Sequence, residues 1–247
     1  MKNLHNFRFD VYSQNGEDGV INEILKRSFE NRKLNLVEFG AGDIEENSNT
    51  FNLIKEDKVN FSVFIEQDFN LFEKLKILKL KYPTIIPINT TIDFKKNSDD
   101  TIDKILKQNN ISNNLDIMSI DIDSNDLDVY RTINEYHPKL LIIEAGRQKY
   151  NVFSEHSVDK KMNSFSSIYK CISKKYYLIC YNGNLFFLNK DSFSEKHIKK
   201  NYYTDDEYHY LLHCIYVNYK KRGLFKKILI DLFSRSKFIL KTFINYK

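Results

Sequence analysis

The stretch Leu34-Asn35-Leu36-Val37-Glu38-Phe39-Gly40-Ala41-Gly42-Asp43 decides the fold. A mainly apolar run of strand character leads into a turn that contains two glycines, and glycine lets the backbone turn sharply and approach a ligand closely. Open α/β sheets bind their ligands at the carboxyl ends of their strands. The segment therefore predicts a buried strand followed by a ligand-binding turn, although a tight structural turn produces the same pattern.

Outward from this strand, short β-rich segments alternate with helix-patterned segments, which is typical of a parallel sheet with crossover helices. The pattern predicts further strands at 61–66, 85–88, 115–120 and 140–144, and helices at 49–56, 70–81, 99–109, 126–136 and 164–174. Ser98 or Asp99 is the expected N-cap of the 99–109 helix. Strands at 177–180 and 185–188 flank Asn182-Gly183, a hairpin signal. We predict a doubly wound, Rossmann-like α/β sheet, mostly parallel, with a C-terminal antiparallel hairpin.

Length and composition indicate one main domain with terminal extensions. The chain has 247 residues, 42% of them hydrophobic, which is enough for one sizeable core. It shows no long apolar run and no basic-then-apolar opening segment, so we expect a cytoplasmic protein. Cys171, Cys180 and Cys214 are odd in number and far apart, which predicts reduced thiols and no disulfide framework or zinc site.

Charge is concentrated at the C-terminus. From Lys220 to Lys247 there are nine Lys or Arg against one acid, so this tail has a net charge of +8. The whole chain has a net charge of +5, so the remaining residues carry −3. An acidic body argues against a nucleic-acid partner. Leu224, Ile228 and Leu232 recur at helical spacing among these cations. Such a basic amphipathic helix can contact the inner membrane peripherally, pack on the core or form a homodimer interface.

Glu66 ends the next predicted strand and is followed by Gln67. A carboxylate one strand beyond the glycine turn can accept hydrogen bonds from both ribose hydroxyls of a nucleoside. The first turn lacks a full G-x-G-x-x-G, whose third glycine packs a helix beneath a pyrophosphate. The pattern therefore favours a nucleoside without pyrophosphate, such as S-adenosylmethionine (SAM), over NAD. An exposed acid that merely ends a strand is the alternative.

Polar groups also follow the first and third predicted strands. Glu46-Asn47-Ser48-Asn49-Thr50 lies at a predicted helix start, where free amides suit a carboxylate such as the methionine tail of SAM. Simple N-capping by Ser48 or Asn49 is compatible with that role. Asn89-Thr90-Thr91 follows the third strand, and we expect Thr90 near an adenine if this geometry holds.

The fourth predicted strand ends in two acids, Asp121 and Asp123, which share one side of an extended backbone. Close carboxylates repel each other unless they bind a cation, pair with a base or share a proton. One interpretation is a Mg²⁺ or Mn²⁺ ion bound by Asp121, Asp123 and Glu144. The other has Asp121 contacting the amino group of SAM or acting as general base, while Asp123 and Asn125 cap the next helix.

Together these motifs resemble the FkbM-type methyltransferases and their relatives encoded in surface-polysaccharide clusters. The resemblance spans roughly residues 10 to 190 and is carried by 12–19, 37–43, 48–50, 64–66, 119–126 and 141–144. It implies SAM as methyl donor, with Glu38, Gly40 and Gly42 around its methionine end and Glu66 on its ribose. Some sugar O-methyltransferases with a comparable acidic strand end use magnesium. Ser124 departs from the family, where glycine often follows the paired acids.

The resemblance also assigns a role to the N-terminus. It implies that the stretch from Gln14 to Asp18 folds over the cofactor site, whereas the local pattern alone indicates a helix start with Glu17 and Asp18 in its first turn. We accordingly divide the chain into an N-terminal cap (1–33), a SAM-binding catalytic domain (34–190) and a helical, basic extension (191–247).

The expected acceptor is small and polar: a hydroxyl or phosphoryl oxygen of a sugar, a nucleotide sugar or a related surface-polysaccharide intermediate. Candidate bases are Asp121, Asp123, His156 in a polar loop, and His137, whose place before Pro138 favours a structural role. Arg147 and Lys149 could hold an anionic acceptor or simply be solvated. An NAD-dependent oxidoreductase and a non-catalytic scaffold with the SAM fold remain alternatives.

Overall fold

The computed structural model describes residues 3–40, 42–95, 98–122, 125–145, 163–206 and 208–211. Within them one seven-stranded sheet has the spatial order β3-β2-β1-β4-β5-β7-β6. Strands β1 to β5 are parallel, and β7 runs antiparallel between β5 and β6. This arrangement confirms the predicted mostly parallel sheet with its C-terminal hairpin. The strands are β1 Leu34–Phe39, β2 Val59–Glu66, β3 Ile85–Asn89, β4 Ile117–Ile120, β5 Leu140–Glu144, β6 Tyr176–Tyr181 and β7 Asn184–Asn189.

Helices connect and flank these strands. A 3₁₀ helix, Leu4–Phe7, precedes α1 Glu17–Ser28, α2 Ile44–Asn47, α3 Phe51–Lys55, α4 Phe69–Lys81, α5 Ile102–Gln108, α6 Asp126–Arg131, α7 Phe165–Ile172 and α8 Glu195–Asn201. Ser164 caps α7, since its hydroxyl accepts the backbone N–H of Ser167. The prediction that α6 continues to residue 136 is wrong, because the helix ends at Arg131.

Two sequence predictions on helix starts need correction. The N-cap position of α5 is Thr101, because Asp99 instead pairs with Lys104 and the Ser98 hydroxyl accepts the backbone N–H of Asp100. The helix expected at 49–56 corresponds to α3, which begins two residues later, at Phe51, and the short α2 before it was not predicted. Residues 48–50 leave the helical path there because their donors bind the buried carboxylate of Glu38.

Both faces of the sheet are covered, so the fold is doubly wound. Leu36 of β1 belongs to a core shared with α1, α3, α4 and α8, whereas Val37 and Phe39 belong to a second core shared with α5, α6 and α7. This alternation follows from the twofold side-chain period of a strand. Residues 17–28 and 195–201 therefore pack with the sheet as one unit.

The sheet positions a site through its strand order. The order reverses between β1 and β4, and open α/β sheets bind ligands in the crevice at such a switch point, beyond the carboxyl ends of the strands. We call the edge at which β1 to β5 end the carboxyl edge and the opposite one the amino edge. Because β7 is antiparallel, its first residue, Asn184, lies at the carboxyl edge opposite Glu144.

Among the described residues, no helix is long and apolar enough to cross a bilayer. The basic amphipathic segment at 224–244 lies outside them. Cys171 and Cys180 are free thiols, and burial raises the pKa of Cys180 to about 12, which makes it a poor nucleophile. Cys214 also lies outside the described residues.

Candidate functional site

The two glycines after β1 do different things. Both have positive φ, +66° at Gly40 and +53° at Gly42. A Cβ atom at Gly40 would lie 1.8 Å from the carbonyl oxygen of Asp121, so this glycine lets the ends of β1 and β4 pack together. A Cβ atom at Gly42 would have no neighbour closer than the Gly40 carbonyl oxygen at 3.8 Å. Gly42 alone therefore faces space that a ligand can enter.

Glu66 lies directly beside this turn. Its Oε2 accepts a 2.8 Å hydrogen bond from the backbone N–H of Gly42, and its Oε1 accepts one of 2.7 Å from Asp68. The Asn89 side chain donates to the Glu66 carbonyl oxygen at 2.8 Å. The predicted proximity of the glycine turn and Glu66 is confirmed. Each carboxylate oxygen can still accept a further hydrogen bond, as a ribose diol requires.

The neighbouring predicted ligands are more peripheral. Gln67 is exposed, and its carbonyl oxygen accepts a 3.3 Å hydrogen bond from Asn89. Thr90 is half-buried immediately after β3, where its hydroxyl donates to the Thr91 carbonyl oxygen at 3.4 Å. Both lie at the carboxyl edge next to Glu66, and their contact with an adenine stays a prediction.

Glu38 is buried and holds the loop that follows it. Its Oε2 accepts hydrogen bonds from the hydroxyls of Ser48 and Thr50 and from the Thr50 backbone N–H, at 2.9, 2.5 and 3.1 Å. Its Oε1 accepts the Asn49 N–H at 2.9 Å. Burial raises the pKa of Glu38, and these donors oppose that rise. Glu38 therefore sets the positions of Asn49 and Thr50, and any effect of Glu38 on a ligand would be indirect, through these two residues.

Asn49 connects this loop to the end of β4. It is buried, and its side-chain amide donates to the Ser119 hydroxyl at 3.0 Å and to Asp121 Oδ2 at 3.4 Å. Asp121 is half-buried at the carboxyl edge. Beyond it, the backbone N–H of Ile122 donates to the buried Asp126 carboxylate at 2.9 Å. Asn49 and Asp121, expected separately from sequence, thus form one polar pair.

The N-terminal motif reaches the same edge. Asp18 Oδ2 accepts hydrogen bonds from the backbone N–H groups of Val11, Tyr12 and Ser13, at 2.8, 2.8 and 3.0 Å, which shapes this segment into a tight loop. The loop contacts two elements of the carboxyl edge. Exposed Gln14 donates to Asn47, and the Asn15 carbonyl oxygen accepts from Asn182 at 3.2 Å. Glu17 and Asp18 also begin α1, as the local pattern indicated, and coverage of a cofactor by this stretch stays a prediction.

The predicted metal set is only partly described. Among the described ranges, no group of three or more His, Cys, Asp or Glu side chains could hold a metal ion. Asp121 and Glu144 lie at the ends of adjacent strands, whereas Asp123 lies outside the described residues, so Mg²⁺ or Mn²⁺ binding stays a prediction. Asn125 occupies the N-cap position of α6 but makes no side-chain cap hydrogen bond, which does not support its expected capping role.

The candidate bases are placed unequally. Asp121 is at the carboxyl edge, whereas His137 precedes β5 and lies at the amino edge near Lys175, where it cannot reach the crevice. His156, Arg147 and Lys149 lie outside the described residues. Asp121 is therefore the described candidate that the fold brings to the site.

Sequence reasoning missed one buried polar residue of this edge, Asn184. Glu17 was expected either in a stretch that folds over the cofactor site or as a first-turn acid, and its buried side chain contacts Asn184, which was not singled out at all. The one local signal was the Asn182-Gly183 turn beside Asn184. Their contacts join positions 167 residues apart, which no local pattern reveals.

No family model matches the chain, and no curated protein matches it. Several solved methyltransferase structures show limited similarity to it. The CurJ carbon methyltransferase is 10% identical over 72% of this chain, with a TM-score of 0.47, and this chain spans 56% of the CurJ chain. A SAM-dependent methyltransferase from Aquifex aeolicus is 12% identical, covering 68% of this chain and 88% of its own, with a TM-score of 0.43. TrmK of M. capricolum, in complex with S-adenosylhomocysteine, is 11% identical, covering 91% and 96%, with a TM-score of 0.46.

Proposed function

We propose that the chain is a SAM-dependent methyltransferase that holds the adenosyl group between Gly42 and Glu66. The observation that carries this proposal is the 2.8 Å hydrogen bond from Gly42 to the Glu66 carboxylate, beside open space at Gly42. This pair joins the ends of β1 and β2, beside the switch point between β1 and β4, where open α/β sheets bind ligands. Five parallel strands followed by an antiparallel pair are also the arrangement expected of a SAM-methyltransferase sheet.

The residues present fit the chemical groups of SAM. The Glu66 carboxylate suits two vicinal ribose hydroxyls, because each oxygen retains acceptor capacity. Half-buried Asp121 suits the ammonium group of the methionine moiety, since a carboxylate near a cation gains charge-assisted hydrogen bonds. Gly42 lets the backbone approach the ligand without a side chain in the way. A turn without the third fingerprint glycine suits a nucleoside that carries no pyrophosphate.

The reaction requires mainly alignment. When bound, SAM supplies an electrophilic methyl group on a sulfonium sulfur. Transfer is an in-line displacement, so the protein has to hold the acceptor in line and remove its proton as the new bond forms. Asp121, which accepts a hydrogen bond from Asn49 at the carboxyl edge, is the residue that we assign to contact the ammonium group or to take that proton.

For the acceptor we propose a hydroxyl or phosphoryl oxygen of a sugar, a nucleotide sugar or a related surface-polysaccharide intermediate. The family resemblance of the sequence motifs supports this class, and the acidic body of the chain speaks against nucleic acid. Carbon methylation belongs to the CurJ protein and is not transferred to this chain. Peripheral membrane contact or dimerisation through the C-terminal extension belongs to the same proposal.

Calorimetric titration with S-adenosylhomocysteine tests the cofactor assignment. We expect the wild type to bind it and Glu66→Gln to bind roughly 100-fold more weakly, because one carboxylate oxygen becomes an NH₂ group that cannot accept a ribose hydroxyl and the remaining oxygen loses its charge. The matched control is Glu73→Gln on the exposed surface of α4, which should bind like the wild type. Equal affinities of wild type and Glu66→Gln, both folded by thermal melting, would contradict the assignment. Tighter binding of NADH than of S-adenosylhomocysteine would favour an oxidoreductase instead.

A further inference from the structure

Asn184 links the N-terminal loop to the cofactor loop. It is the first residue of β7, it is 4% exposed, and it lies opposite Glu144 at the carboxyl edge. Its side-chain Nδ2 donates to Glu17 Oε1 at 3.3 Å and to Asn49 Oδ1 at 3.4 Å. Three segments distant in sequence, the start of α1, the β1–α3 loop and β7, thus meet through one amide.

The donors and acceptors in this chain of hydrogen bonds can be assigned in only one way. Both oxygens of Glu17 accept hydrogen bonds, Oε2 from the Asn15 backbone N–H and Oε1 from Asn184, so Asn184 has to present its NH₂ group to Glu17. That same group donates to the Asn49 oxygen, which leaves the Asn49 NH₂ group to donate to Ser119 and Asp121. Asn184 Oδ1 has no hydrogen-bond partner among the described residues, so the two acceptors of Nδ2 determine the amide orientation.

Burial makes a reversed Asn184 amide energetically costly. Glu17, Asn184 and Asn49 are 1%, 4% and 4% exposed, so water cannot replace a lost partner easily. If the Asn184 amide were reversed, its oxygen would face the Glu17 carboxylate and the Asn49 oxygen, and acceptors would meet acceptors. The Asn49 amide would then lose the contact that keeps its donors toward Asp121.

We propose that Asn184 is a positioning residue. Because Glu17 orients the Asn184 amide, the NH₂ group of Asn184 donates to the Asn49 oxygen, and the NH₂ group of Asn49 is thereby held toward Asp121. This inference rests on the proposed function, in which Asp121 contacts the ammonium group at the amino-acid end of SAM. Asn184 therefore governs recognition of that end, and the adenosyl end depends on Glu66 and Gly42.

Two probes separate the ends of the ligand. S-adenosylhomocysteine carries the amino-acid portion, whereas 5′-methylthioadenosine has the same nucleoside without it. We expect Asn184→Ala to weaken S-adenosylhomocysteine binding about tenfold, because Asn49 loses the buried hydrogen bond that orients its amide, and to leave 5′-methylthioadenosine binding unchanged. Asn189→Ala is the matched control, because Asn189 is a buried asparagine at the other end of β7, on the amino edge. It should change neither affinity.

A double variant tests whether Asn184 acts through Asn49. If it does, Asn184→Ala causes no further loss of S-adenosylhomocysteine affinity once Asn49 is alanine. Additive losses, equal losses for both probes, or the same loss in Asn189→Ala would overturn the inference. Asn184→Ser, whose side chain is too short to join Glu17 to Asn49, carries the same test if the alanine variant does not fold. Failure of the wild type to bind either probe would overturn the proposed function itself.

Discussion

The two edges of the sheet both contain buried acids, but the groups that donate hydrogen bonds to these acids differ. At the amino edge, Asp116 accepts hydrogen bonds from Arg32 at 2.8 Å and from Lys139 at 3.0 Å, and its side chain is 0% exposed. At the carboxyl edge, the hydrogen bonds accepted by Glu38 and Glu66 come from neutral hydroxyl and backbone groups.

This difference distinguishes Asp116, which is paired with two cations, from the acids of the carboxyl edge, whose hydrogen-bond donors are neutral. A carboxylate paired with two cations contributes little net field, whereas neutral donors place no positive charge beside a carboxylate. SAM carries a sulfonium and an ammonium against one carboxylate, so its net charge is positive. Under the proposed function, the carboxyl edge suits this ligand better than the amino edge, where Asp116 is already paired with Arg32 and Lys139.

The largest expected effect concerns the end of β1. Gly40→Ala should destabilise the fold by about 3–4 kcal/mol, because the new methyl group overlaps the Asp121 carbonyl and the backbone is left-handed there. Urea unfolding followed by circular dichroism measures this loss. A change under about 1 kcal/mol would show that the ends of β1 and β4 separate freely, against the packing described.

The second effect sharpens the contrast at the amino edge. Asp116→Asn should lower the free energy of unfolding by about 2 kcal/mol at neutral pH and leave S-adenosylhomocysteine affinity unchanged. Burial alone would raise the pKa of Asp116, but hydrogen bonds from Arg32, Asn35 and Lys139 outweigh it and hold the pKa below its ordinary value.

A depressed carboxyl pKa fixes the sign of the pH dependence. The stabilisation is fully present above the unfolded-state pKa, about 4, and is lost as the pH falls through the folded-state pKa. Unfolding curves at several acidic pH values should therefore show that the wild type loses more stability on acidification than Asp116→Asn does. Parallel losses in the two proteins would mean that this ion cluster does not set the acid sensitivity.

The smallest expected change in stability is at Gly42. Gly42→Ala should cost about 1 kcal/mol from its left-handed backbone alone, since a Cβ atom there meets open space. Affinity for S-adenosylhomocysteine should nevertheless fall about tenfold, because the methyl group occupies space assigned to the ligand. Full affinity in a stable Gly42→Ala variant would place the ligand elsewhere.

Much of this fold can be read from the sequence because its signals are local. Apolar runs bounded by turns located the five strands β1 to β5 to within two residues, and the Asn182-Gly183 turn located the hairpin. Since parallel strands end at one edge, the proximity of Gly42 and Glu66 followed from the topology alone.

The remaining features of the fold and of the site depend on tertiary contacts, which local sequence patterns do not show. The helix expected at 49–56 begins only at Phe51, because Glu38, 11 residues before Asn49, accepts the backbone N–H groups of Asn49 and Thr50. Asn184 could not be identified, since its side-chain partners Asn49 and Glu17 lie 135 and 167 residues away. Gly40 and Gly42 look alike in sequence, and only the position of β4 distinguishes the packing glycine from the one facing open space.

A crystal structure with bound S-adenosylhomocysteine tests the central claim most directly. We expect both ribose hydroxyls within hydrogen-bond distance of the Glu66 carboxylate, the nucleoside in contact with the Gly42 backbone, and the amino group near Asp121. A ligand bound at the amino edge, or a Glu66 carboxylate that contacts only Gly42 and Asp68 while the ligand lies elsewhere, would contradict the account.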